Sequence, residues 1–230
     1  MITISEQWKQ TYPDAGLGVL VMEGVLNPPE HAGLEQIKTQ FEGELRSQYG
    51  GVPRASLEDL PNIRPYVDYY KRFNKTYHVL MQLESVASKG RNLPRVAALV
   101  EAMFIAELRN GLLTAGHDLD STDGPLTADV AAGDEAYTLL SGQTQTLKAG
   151  DLYIRDQAGV ISSIIYGPDQ RTPITPATKR VIFTIYAPAG IQPETVLAHL
   201  ADIRQYAELV SPTAKTIMLE YMGWKQSQST

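Results

Sequence analysis

Residues 116–130 read "GHDLDSTDGPLTADV", and the fold turns on what they are. Three aspartates and a histidine sit between Gly116 and Gly124, and a run alternating in hydrophobicity follows. Aspartate side chains bond their own backbone at corners, and Gly124-Pro125 leads well into an extended segment. The stretch reads as a turn into a strand, and it marks a change of character near residue 115.

Upstream the spacing is mostly helical. "PPEHAGLEQIKTQFEGELRSQY" repeats Leu34, Ile37, Phe41 and Leu45 at helical intervals, with proline at its start. "LEDLPNIRPYVDYYKRFNKTY" places Asn62 as an N-cap and Pro65 in the first turn. "HVLMQLESVASKG" is a helix closed by Gly90. "LPRVAALVEAMFIAELRNG" carries the clearest apolar stripe, Val96, Leu99, Val100, Met103 and Phe104, and Asn110-Gly111 ends it. One upstream segment differs: "GLGVLVMEGVL" (16–26) is short, apolar and glycine-bounded, a buried strand.

Downstream, "PLTADVA", "EAYTLL", "DLYIRD", "GVISSIIYG" and "KRVIFTIYAP" are β-branched or aromatic runs separated by turn chemistry. "YIRDQAGVISS" predicts a hairpin turning near Asp156 to Gly159. A last helix opens on Pro193. Helices before, strands after and a helix last give the α+β class. No Pro/Gly/Ser linker divides the 230 residues, so one domain is expected, with 1–60 integral to it and 224–230 a frayed tail.

Composition narrows the function classes. The chain is 43% hydrophobic and 20% charged, an ordinary globular balance. It has no cysteine, which removes disulfides, thiolate metal sites and thiol nucleophiles. The N-terminal residues do not resemble a secretion signal, and no apolar run is long enough to span a bilayer, so a soluble cytoplasmic protein without a membrane partner is expected. The net charge of −6 opposes nucleic-acid binding as a whole. However, Arg64 to Arg95 holds seven basic and two acidic residues, leaving −11 on the rest. Lys71, Arg72, Lys75, Lys89, Arg91 and Arg95 are therefore candidate phosphate contacts, unless they are a solvated face. Tyr66, Tyr69, Tyr70, Phe73 and Tyr77 interleave with part of that stretch. Such rings stack bases, but their helical spacing favours a core stripe.

Metal and cofactor chemistry find little support. On a calcium-loop template Asp118 and Asp120 fit positions 1 and 3, but the glycine arrives one residue late at Gly124 and strand follows. The four histidines show no helical i, i+4 pair for zinc. No dinucleotide fingerprint, phosphate loop or G-x-S-x-G elbow occurs. No metal and no cofactor are expected. Ser162, Ser163, Thr172, Thr175 and Thr178 read as polar faces of loops and strands.

The order of the pieces "YYKRFNKTYHVLMQLESVASKGRNLPRVAALVEAMFIAELRNG", "GHDLDSTDGPLTADVAAGDEAYTLLSGQ", "KAGDLYIRDQAG" and "TPITPATKRVIFTIYAP" resembles the B3/B4 domain of the β subunit of bacterial phenylalanyl-tRNA synthetase, in its stand-alone form. The resemblance implies helices layered on a β-sandwich of unusual topology. It implies an editing-type function, hydrolysis of a mischarged aminoacyl-tRNA in trans, without the charging reaction of a full synthetase. The alternative is a non-catalytic module binding tRNA or an amino-acid-like small molecule. The family's H-x-x-D element falls on His117 and Asp120, the expected catalytic pair. A family glycine falls on Gly167, an expected substrate contact. The strand that should carry the family's pocket glutamate, "KRVIFTIYAP", has no acid, and Thr184 is its nearest polar replacement. That departure bears on tyrosine selectivity, because a buried partner for the phenolic hydroxyl is what separates Tyr from Phe.

Overall fold

The computed structural model describes residues 1–223; the tail predicted at 224–230 lies outside the described residues. In chain order the elements are β1 (Ile2–Ile4), α1 (Glu6–Thr11), β2 (Gly16–Glu23), α2 (Ala32–Tyr49), α3 (Arg54–Glu58), α4 (Arg64–Lys71), α5 (His78–Ala87) and α6 (Ala98–Asn110). There follow β3 (Thr114–Asp118), β4 (Leu126–Val130), β5 (Ala136–Thr138), β6 (Thr144–Thr146), β7 (Leu152–Arg155), β8 (Val160–Ser163), β9 (Gly167–Pro168), β10 (Arg180–Ala187), α7 (Pro193–Val210) and β11 (Lys215–Gly223).

The protein is an α+β fold of helices packed on two layered sheets. One sheet has the order β11-β2-β10-β3, the other β1-β4-β7-β8-β9, with β5-β6 as a separate ribbon. Among the described residues only β1 and β4 run parallel. Strand β2 is buried along nearly its whole length because its sheet is covered on both sides. On one face, Tyr186 of β10 meets Ser162 of β8 at 2.7 Å and stacks on Trp8 at 6.4 Å between ring centres. On the other, α7 lies so close to β2 that a Cβ on Gly18 would stand 2.3 Å from Val196 Cγ1. Glycine is the side chain that this helix–sheet approach admits. The main hydrophobic core draws on residues from Ile2 to Val210, and a smaller cluster gathers Ala131, Tyr137, Leu147, Tyr153 and Val160.

Several expectations hold and several do not. The hairpin β7–β8 turns where predicted, and α6 ends on Gly111 in the left-handed region, φ 70°. The quoted opening stretch behaves differently. Gly116 to Asp118 belong to β3, and the turn starts only at the 3-10 segment Leu119–Ser121. His117 is therefore a strand residue. The last element is the strand β11, not a helix, and it pairs with β2 rather than with a sequence neighbour. Helix α2 starts after the prolines, and His31 caps it by accepting the Leu34 N–H at 3.3 Å. Ser162, Ser163, Thr172 and Thr178 are buried rather than exposed on polar faces. Tyr66, Tyr69, Tyr70, Phe73 and Tyr77 are all core residues.

Asn62 does not cap α4, whose N-cap is Ile63. Its Nδ2 instead donates to the Asn110 carbonyl at 3.0 Å, closing the C-terminus of α6. Asn62→Ala is expected to cost about 1 kcal/mol, one net hydrogen bond, in a urea melt. An unchanged midpoint would mean that solvent satisfies that carbonyl equally well.

Candidate functional site

The strands β3 and β9 are the outer edges of their two sheets, and they come together at one side of the molecule. Helices α5 and α6 cover the gap. They enclose a cavity of about 580 Å³, enough for an amino-acid side chain and part of what it is attached to. Its wall is mostly apolar: Val100, Met103 and Phe104 from α6, Leu113, Ile164 and Ile174 from the connections. This explains why the apolar stripe of α6 is only partly buried at Val100, Met103 and Phe104; it faces a hollow. Val96 and Leu140 stand exposed at the rim.

Among the described residues the one carboxylate lining this wall is Glu107. It is 2% exposed, and its Oε1 accepts the Thr114 backbone N–H at 2.8 Å. Burial pushes its pKa up to about 8, against the weaker downward pull of that hydrogen bond. At neutral pH the group is a carboxylic acid. Since Oε1 is an acceptor, the proton resides on the second oxygen, which makes Glu107 a hydrogen-bond donor in an apolar chamber.

His78, the first residue of α5, lines the mouth beside Gln82 one turn on. The residue is exposed, while its ring leans on Tyr70 and Tyr77 with centres 5.9 and 5.8 Å away. That crowding desolvates the imidazole and lowers its pKa, an effect that solvent at the rim tempers.

Of the four residues expected to form the site, one lies on the cavity. Gly167 lines it, with φ 83° and no atom within 4 Å of where a Cβ would stand. His117 points into the layer between the sheets and is 0% exposed. Its Nδ1 meets Thr172 Oγ1 at 2.8 Å, and that hydroxyl donates to Asp169 Oδ1 at 2.6 Å. The threonine hydrogen is thus committed, so His117 carries its proton on Nδ1. Its Nε2 is buried without a partner, and desolvation lowers the pKa to about 4. Asp120 does not orient this ring. Its carboxylate is half exposed and pairs with Arg180 at 3.0 Å. The i+3 spacing that would join the two on a helix separates them here, because a strand ends between them. Thr184 is buried between the sheets, on the same face of β10 as Tyr186, and donates to Ala115 O at 3.4 Å. Their strand neighbours Ala115 and Gly116 reach the cavity instead.

The six basic candidates form two groups. Lys71, Arg72 and Lys75 precede α5, whereas Lys89, Arg91 and Arg95 follow it, beyond a helix about 15 Å long. Lys71 faces Glu58 at 3.5 Å, and Arg95 faces Glu35 at 3.4 Å. Arg72 covers the Tyr69 ring at 4.4 Å, and Lys75 lies over Tyr166 at 5.3 Å, next to Gly167. Among the described residues the side chains of Lys89 and Arg91 have no ion pair. No group of three His, Cys, Asp or Glu is placed to hold a metal, and no helix is long and apolar enough to cross a membrane, again among the described residues.

Residues 66–226 match a family model described as the B3/4 domain. No curated protein matches the chain. Among solved structures it is similar to an N-terminal fragment of the phenylalanyl-tRNA synthetase β subunit from Pyrococcus horikoshii, with a TM-score of 0.50 and 13% identity. That likeness covers 94% of this chain and 50% of the fragment, so the chain spans about half the fragment's length. At this identity the likeness concerns the fold.

Proposed function

Because the chain belongs to the B3/4 domain family, a synthetase-related family, we propose that it accepts the aminoacyl end of a mischarged tRNA and hydrolyses the ester in trans. The carrying observation is the cavity of about 580 Å³ between the two sheet edges, mostly apolar, with Glu107, Thr114, Ser163 and Tyr186 as buried polar residues of its lining. The amino-acid side chain enters the hollow. Glu107 donates to an acceptor on it, and the ester stays at the mouth beside His78 and Gly167. Lys75 at one side of the mouth, and Arg91 and Arg95 beyond α5, meet the tRNA phosphates. The substrate places the reaction in the cytoplasm.

Incubation of the protein with a panel of mischarged tRNAs tests this. Amino-acid release above the buffer rate is expected for at least one, and none for all would end the deacylase reading. Lys75→Glu with Arg91→Glu is expected to weaken tRNA binding at least tenfold and to lower its salt slope by about two contacts.

A second reading, a binding module without turnover, is favoured by the separation of His117 from Asp120 and by the lack of an acid on β10. It predicts tRNA or amino-acid binding by calorimetry with no release. Release by the purified protein would exclude it.

A further inference from the structure

Resting on the deacylase reading, we infer that His78 is the general base of the reaction, the group that takes a proton from the attacking water. Three observations place it. First, it lies on the cavity mouth and is exposed, where a water and an ester can both reach it. Second, its tautomer is fixed. Tyr70 Oη has one hydrogen and donates it to the Ile164 carbonyl in a short bond. Toward His78 Nδ1, 3.0 Å away, that oxygen can act only as acceptor, so Nδ1 carries the ring proton. Nε2 is left with a free lone pair, the form a base needs. Third, His78 opens α5, where the positive end of the helix disfavours the imidazolium, and its packing against Tyr70 and Tyr77 acts in the same sense. The ring rests neutral.

His117 shares the fixed tautomer but not the access to solvent and cavity. Its own free nitrogen is sealed between the sheets. The arrangement at His78 is a base held by an orienter, Tyr70, which is in turn held by a backbone carbonyl. Gln82 follows four residues later on the same helix face and also lines the cavity.

The step balances without a cofactor. Water oxygen bonds to the ester carbonyl carbon as Nε2 takes one of its protons. The bond from that carbon to the terminal ribose oxygen then breaks, and the imidazolium returns the proton to the departing oxygen. The products are the free amino acid and a tRNA with a free ribose hydroxyl.

The test uses the full chain and the tRNA that gives the fastest release. His78→Asn is expected to lower kcat by about 10²- to 10⁴-fold, the usual worth of a positioned base, with KM and melting temperature little changed. His78→Ala should regain part of its rate with added imidazole, a response that a packing role would not give. Tyr70→Phe, which frees the ring, should fall between the two. If the parent hydrolyses and His78→Asn retains its rate within about threefold, the base is elsewhere and only this inference fails. If the parent releases nothing from any charged tRNA, the deacylase reading fails, and this inference with it.

Discussion

Glu107→Gln is expected to make the protein markedly more stable at pH 8.5 and to flatten the decline that the parent shows as pH rises from 5. The folded protein holds the Glu107 proton up to a pKa of about 8, whereas the unfolded chain releases it at the ordinary carboxylate value of 4.5. Between those values the folded state binds more protons, so each rise in pH favours unfolding. The sign is opposite to that of an ion-paired carboxylate. The stabilisation is complete below the unfolded value and is lost by the time pH exceeds the folded one. The displacement corresponds to about 5 kcal/mol over the full window, a large share of an ordinary domain's stability. Asp151, 0% exposed, acts in the same direction, with burial lifting it to about 7 despite its bond from Tyr69. Histidines 117 and 199, held neutral with pKa values near 4 and 3, oppose the fall only below their ordinary 6.5. Glutamine keeps an oxygen for the Thr114 N–H and has no charge to bury. Urea midpoints at pH 5.5, 7 and 8.5 decide the matter. Equal pH slopes for parent and variant would show that Glu107 is hydrated in the folded state.

Much of this arrangement is legible in the chain, and the failures have a common cause. Local patterns succeed where one element decides them: the α6 stripe, the β7–β8 hairpin, the Pro193 start of α7. They fail where distant segments meet. Nothing in "KTIMLEYMG" announces that β11 pairs with β2, nearly two hundred residues earlier. The stripe itself contained a usable signal. Glu107 follows Met103 and Phe104 by four and three residues, an acid on an apolar face, and such a position asks for a buried partner or a cavity. His78 had no comparable mark, since its partner Tyr70 lies eight residues back, at the end of the preceding helix. The resemblance located the family, yet its H-x-x-D spacing could not say which face of β3 the imidazole takes. In a strand, that depends on register, and one residue reverses it.

Register also governs the second large effect. His117→Ala is expected to cost about 2–4 kcal/mol, lowering the melting temperature by about 6–12 °C for a chain of this size, while each folded molecule keeps its activity within a few-fold. The imidazole fills space between the sheets and supplies the donor for Thr172 Oγ1. Its removal opens a void and leaves an acceptor unpaired in the core. Asp169 and Arg171, in contact at 3.0 Å, hold the far end of that chain and should retain their positions. Thr172→Val should therefore couple to the histidine. The double variant should lose less than the two single losses added, because both act on one bond. Melting curves and deacylation per folded molecule give the two axes needed. A variant that melts like the parent but no longer turns over would put the imidazole back at the chemistry and the cavity mouth out of it. Loss of stability with turnover preserved would leave His117 as a strut between the layers, and the reacting ester at the side where β3 and β9 meet.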